Sequence, residues 1–201
     1  MTSFAIEKCR PADNPFASHR VEDLTFRCDE FGYDHLFRRL RKLGGRAAIV
    51  GPKGSGKTTL MEGLATALPG EAVFVRIDAD CSHPWRTVRA QLPRPVTPKH
   101  LLLVDGAEQL GPFRWGLLLN KTRRAQIFIA TLHQPGRLPT LVECRPDHDL
   151  LYGLVEELTP VDAPKLKPYL EELFHRHSGN IRLCFRELYD CYAGRTGKLS
   201  S

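Results

Sequence analysis

Apolar and polar positions along the chain change period several times, and each change marks an element. From Glu30 to Leu43 a helical period holds, with Phe31, His35 or Leu36, Phe37, Leu40 and Leu43 on one side and Arg38, Arg39, Arg41 and Lys42 on the others. Gly44-Gly45 stops it, as a helix C-terminus should. Arg46–Val50 follows as a short apolar run without alternation, the pattern of a strand buried on both faces. Lys57–Leu68 reads as a helix ended by Pro69-Gly70, and Ala72–Ile77 as a second strand. Leu101–Asp105 is a third, buried and closed by an acid; Gln126–Leu132 is a fourth and Thr140–Glu143 a shorter fifth. Between them, Trp85–Leu92 and Phe113–Lys121 read as helices. After Pro146 only helical patterns remain, at Asp147–Leu158, Ala163–His177 and Asn180–Tyr192, punctuated by prolines at 160, 164 and 168.

Strands alternating with helices, followed by helices alone, predict an α/β fold: a three-layer parallel-sheet core over residues 29–146 and a small C-terminal helical lid over residues 147–201. Residues 1–28 hold no period, are interrupted by Pro11 and Pro15, and read as an N-terminal arm. No internal repeat is present.

Composition changes this picture little. The 201 residues suit one domain with a small appendage, and 42% hydrophobic with 26% charged residues exclude wholesale disorder. The longest apolar runs, Ala47–Val50 and Leu101–Val104, fall far short of the ~20 residues of a membrane span, and the first residues lack the apolar stretch of a secretory signal. A cytoplasmic protein without a membrane partner is expected. The six cysteines include no CxxC pair, which argues against a zinc ribbon and favours free thiols. The net charge of +6 (29 bases against 23 acids) fits an anionic partner of some kind.

The strongest chemical signal is Gly51-Pro52-Lys53-Gly54-Ser55-Gly56-Lys57-Thr58, which fits GxxxxGK[ST] at every fixed position and lies between a buried strand and a helix. Its glycines let backbone N–H groups turn inward around phosphate oxygens, and the next helix offers its N-terminus to the anion. Lys57 would reach the β and γ phosphates, the Thr58 hydroxyl would ligate Mg²⁺, and Thr59 extends the seat. The chain resembles the P-loop NTPase superfamily in this motif.

The resemblance extends further. Leu101–Asp105 looks like a Walker B strand, which implies that Asp105 holds Mg²⁺ beside Thr58. Where AAA+ ATPases continue with a catalytic Glu, this chain has Gly106, and the next acid is Glu108, a candidate base if the loop folds it back. Thr131 resembles a sensor-1 residue, and His133 the histidine after an equivalent strand in transporter-type ATPases; either would contact the γ-phosphate. Ser178-Gly179-Asn180-Ile181-Arg182 resembles the Gly-Asn-x-Arg that opens the sensor-2 helix of AAA+ and signal-transduction ATPases, with Asn180 as cap and Arg182 as a phosphate contact. Asn14-Pro15-Phe16 is a candidate element to fold across adenine, since similar arms precede the loop in small bacterial ATP-binding proteins; Phe16 as an anchor onto the core is the alternative.

Other branches of the superfamily fit less well. No LSGGQ-like signature lies between the loop and Asp105, and Asn120-Lys121-Thr122-Arg123 departs from NKxD at the residue that would read guanine. Arg123, Arg124 and Arg137 are available as arginine fingers. The resemblance thus implies an ATP-binding, Mg²⁺-dependent protein acting as a slow or partner-stimulated ATPase switch, with Lys57, Asp105 and Glu108 as catalytic residues and a macromolecular partner. Two alternatives stand beside it: a phosphotransferase using Asp78 or Asp80 as base, and an ATP-dependent adaptor of a nucleic-acid machine, for which the basic face Arg38, Arg39, Arg41 and Lys42 with Arg123-Arg124 is the sole feature.

Overall fold

A computed structural model describes residues 9–24 and 32–195. Phe31 and Cys28 lie outside the described residues. Among the described residues the chain forms eight α-helices, one 3-10 turn and five strands, and it divides into two compact units.

The first unit (residues 26–52 and 56–144) is an α/β fold built on an all-parallel sheet. Its strands are β1 Arg46–Val50, β2 Glu71–Arg76, β3 His100–Asp105, β4 Ile127–Leu132 and β5 Thr140–Glu143, in the order β2-β3-β4-β1-β5. Successive residues of β1, β3 and β4 enter two apolar clusters, because strand side chains point alternately to opposite faces. Ala48, Val50, Leu102, Val104, Phe128 and Ala130 pack with Val88 of α4 (Pro84–Gln91) and Trp115 and Leu118 of α5 (Pro112–Lys121). Ala47, Ile49, Leu103 and Ile129 pack with Leu36 and Leu40 of α2 (Gly32–Lys42) and Leu60, Met61 and Leu64 of α3 (Lys57–Ala67). Helices therefore cover both faces, consistent with three layers, and the non-alternating strands follow from burial on both sides. α2 ends at Gly44 and Gly45, both left-handed (φ +69° and +74°); a Cβ on Gly45 would stand 2.8 Å from the Gln126 carbonyl oxygen, so the turn into β1 excludes a side chain.

The second unit comprises, among the described residues, 9–24, 53–55 and 145–195, and its regular elements are helices. It contains α1 Ser18–Glu22, α6 His148–Leu158, α7 Ala163–Arg176 and α8 Ile181–Tyr192. Asp147 caps α6 by accepting from the Leu150 N–H at 2.8 Å, and Asn180 caps α8 by accepting from Leu183 N–H at 3.2 Å. α7 runs through Pro168, which stands exposed and costs the helix one backbone donor.

The arm and the C-terminal helices share one core. Phe16 is 3% exposed, with its ring 5.4 Å from that of Tyr192 and 5.9 Å from that of Phe185. Asn14, fully buried, donates from Nδ2 to the Tyr189 carbonyl and accepts the Phe16 N–H, both at 3.0 Å. Phe16 is thus an anchor, and the expectation that it lies across adenine is corrected: its ring is committed to the helices.

Phe16→Ala is expected to destabilise the helical unit by about 3 kcal/mol or more, the cost of emptying a filled aromatic site. A thermal midpoint shifted by less than about 2 °C in calorimetry would contradict this assignment.

Candidate functional site

The ends of β1, β3 and β4 meet at the carboxyl edge of the sheet, where ligands of α/β folds bind. Gly51 leaves β1 and donates its N–H to the Leu132 carbonyl at 3.1 Å, which ties the start of the loop to the end of β4. The loop turns through left-handed Gly54 (φ +78°) and Gly56 (φ +83°), and α3 begins at Lys57. Pro52, Lys53 and Gly54 lie along its outer course, with Pro52 and Lys53 exposed. The Ser55 hydroxyl is buried without a hydrogen-bond partner. Thr59 is exposed one position beyond Thr58.

Lys57 is 8% exposed and curls back on its own loop, donating to the carbonyls of Gly51 (2.9 Å) and Pro52 (2.7 Å). Burial pushes its ammonium below the ordinary lysine range, while the nearby charges of Glu108, Cys144 and Asp105 pull in the opposite direction. Lys57 and Glu108 are therefore close enough to interact, although 51 positions (108 − 57) separate them in the chain.

Asp105 is the centre of the arrangement. Its Oδ2 accepts from the Thr58 hydroxyl at 2.8 Å and its Oδ1 from the Thr131 hydroxyl at 2.6 Å. Thr131, 1% exposed, also accepts the Gly106 N–H at 3.0 Å. One carboxylate thus joins α3, β3 and β4.

The chain after Asp105 makes a turn that no side chain at 106 would permit. Gly106 is left-handed (φ +75°), and a Cβ built there would collide with the Ile77 carbonyl oxygen. The 3-10 turn Ala107–Gln109 that follows brings Glu108 back toward the site, with Oε1 3.2 Å from His133 Nε2 and Oε2 buried without a partner. Arg137 holds the turn by donating to the carbonyls of Ala107 (3.2 Å) and Leu110 (2.8 Å), while its guanidinium lies 5.6 Å from the Trp115 ring centroid. Arg137 accordingly acts as a clamp here, not as a free finger.

The structure therefore brings Lys57, Thr58, Asp105, Glu108, Thr131 and His133 into one set of contacts within the α/β unit. Arg182 belongs to the helical unit, exposed on the first turn of α8, and its side chain makes no hydrogen bond or ion pair among the described residues. Its neighbour Asn180 is nevertheless packed on the loop apex, since a Cβ on Gly54 would collide with Asn180 Oδ1. Sequence reasoning missed two features: Arg137 as clamp and the Gly54–Asn180 packing. Gly54 and Asn180 were each visible as motif positions, and nothing in the chain joined them.

Among the described residues no group of three or more His, Cys, Asp or Glu side chains converges as a metal site, and no helix is long and apolar enough to cross a membrane. The chain matches no model of a known protein family, and no curated protein is found as its relative.

Two outcomes are expected. Gly106→Ala should lower the thermal midpoint sharply, because the Cβ meets backbone, and Gly106→Glu should do so without supplying a working acid. An unchanged midpoint in either variant would contradict the turn geometry. Because the folded protein releases the Lys57 proton below the ordinary value of 10.5 and the unfolded chain does not, the stability of wild type relative to Lys57→Met should rise as pH climbs toward 10.5. Paired melts between pH 7 and 10 measure that difference; a flat or falling trend would sink it.

Proposed function

We propose that the chain is a cytoplasmic P-loop NTPase of the AAA+/signal-transduction type, which binds ATP with Mg²⁺ and hydrolyses it slowly or on stimulation by a macromolecular partner. The single observation that carries this reading is the Asp105 carboxylate bonded at once to Thr58, inside the GxxxxGKT loop, and to Thr131 at the tip of β4. An acid in that position ties the phosphate seat to a residue able to respond to the third phosphate.

The donor set suits magnesium. Thr58 Oγ1 and Asp105 Oδ2 are hard oxygens on adjoining elements, and Mg²⁺ uses one or two protein oxygens with water and phosphate completing an octahedron. Bound there, the ion would neutralise charge between the β and γ phosphates. The protein's own groups account for the rest. Lys57 exchanges the carbonyls of Gly51 and Pro52 for phosphate oxygens, losing no hydrogen bonds and pairing its buried charge. The N–H groups of the loop and the start of α3 would be the donors for the anion, as at other helix N-termini. Glu108, aimed by the 3-10 turn and held by His133, is the base that orients water. Arg182 is retained as a γ-phosphate contact on the resemblance of Gly179-Asn180-Ile181-Arg182 alone. The phosphotransferase alternative gains nothing comparable, because Asp78 and Asp80 stand exposed beyond β2.

Phosphate release from Mg-ATP by the purified chain, with Lys57→Ala as blank, tests the proposal. Turnover above the blank is expected, and Glu108→Gln should lower it by about 10²-fold or more while ATP still binds. Tight Mg-ATP binding by Lys57→Ala would overturn the assigned seat. Turnover that Glu108→Gln leaves intact would remove Glu108 from the chemistry, and ATP consumed only with a small acceptor would establish the phosphotransferase.

A further inference from the structure

The opposite edge of the sheet carries a charge pattern that ATP binding does not use. At the amino ends of the strands, Lys99 precedes β3, Lys121, Arg123 and Arg124 precede β4, and Arg41 and Lys42 close α2 before β1. All six side chains are exposed, and none forms an ion pair or side-chain hydrogen bond among the described residues.

The two flanking segments are fixed to one another. Arg46 donates to the Thr122 carbonyl at 3.0 Å and to its hydroxyl at 3.1 Å, with its guanidinium 4.6 Å from the Phe128 ring centroid. The Phe128 N–H donates to the Gly45 carbonyl at 2.8 Å, and Gly45 lies against the Gln126 carbonyl. The end of α2 and the 121–124 segment therefore present their bases from adjoining, rigidly joined positions.

Acids are absent from both segments. Residues 35–61 contain no Asp or Glu, nor do residues 109–142. The acid at this edge is Glu71, which faces His100 at 3.5 Å. Removing the six bases from the count leaves 29 − 6 = 23 against 23 acids, so these six side chains match the whole net positive charge of the chain.

We propose that this edge binds the sugar-phosphate backbone of double-stranded nucleic acid, without reading bases. β3, β4 and β1 are consecutive in the sheet, so at about 4.8 Å per strand the edge spans roughly 10 Å. A duplex carries one phosphate per ~1.7 Å of axis with both strands counted, so that length carries on the order of six charges, about three on each strand. A protein partner would want a large apolar anchor, and among the described residues of this unit the exposed one is Phe113, at the opposite end of α5 from Lys121. Unpaired bases on a rigid frame, six of them against the single carboxylate of Glu71, are what counterion release rewards. The edge lies at the other ends of the strands from Asp105 and Thr131, so its test needs no nucleotide and is independent of the ATPase reading.

Fluorescence anisotropy of a labelled 20-base-pair DNA duplex against the full chain, from 25 to 200 mM salt, measures the effect. Binding should weaken steeply with salt, by about 0.9 log units per log salt for each phosphate engaged. Lys121→Ala/Arg123→Ala/Arg124→Ala should weaken it at least tenfold and flatten the salt slope. Arg86→Ala/Arg89→Ala, which removes exposed bases of α4, should leave it within twofold. Absence of binding at 25 mM salt would overturn the proposal, as would equal losses in both variants. Tighter binding of poly-glutamate than of duplex would reject nucleic acid and make the edge a dock for an acidic protein.

Discussion

Everything at the carboxyl edge of the sheet depends on the Asp105 carboxylate. It accepts two hydroxyl hydrogen bonds, from Thr58 and Thr131, and a bond to a charged acceptor is worth about 1.5–3 kcal/mol, roughly double a neutral one. Those bonds hold α3 and β4 at a fixed distance from β3. They also set the rotamer of Thr131, whose oxygen in turn satisfies the Gly106 N–H. That N–H opens the left-handed turn that aims Glu108, so the acid two residues beyond the usual position is placed by the acid that ends the strand. The arrangement is preorganised by its neighbours, which is what the proposed chemistry would require.

The chain disclosed its fold well where burial alone decides. β1 and β5 begin and end at the expected residues and the other strands differ from their expected limits by one position; in β1, β3 and β4 two covered faces leave almost no polar residue to blur the signal. The turn of Gly51–Thr58 between β1 and α3 was equally legible, because its glycines mark left-handed positions at 54 and 56. Glu108 was half legible: its presence was plain, but its return toward Lys57 depends on the Ile77 carbonyl crowding Gly106, a contact between strands. The arm left two readings open for a similar reason, and the anchor is the one its packing favours. Phe16 carries no periodic company in its own segment, and the partners that bury it, Phe185 and Tyr192, come about 170 residues later.

The two ends of the sheet divide the chemistry of the α/β unit. Asp105 and Glu108 stand at the carboxyl end beside a single buried ammonium, whereas six solvated bases crowd the amino end. Both ends follow from the parallel sheet, which directs every strand terminus of one kind to the same edge. Charge placed in separate loops of the sequence thereby becomes charge on one rim.

The position of β1 in the strand order also governs how this unit is made. Its two neighbours are β4 and β5, which begin at Ile127 and Thr140, so nothing synthesised earlier can cover either side of it. While the chain emerges from a ribosome, Arg46–Val50 remains an apolar strand with both edges open for some eighty residues of growth, a sticky template in the sense that unpaired strands are. β2 and β3 can pair during that interval, but the sheet becomes continuous only when β4 inserts between β3 and β1. Assembly of the α/β unit is therefore gated by its last third, and a nascent chain halted before Glu143 would lack the strand that closes one side of its central sheet.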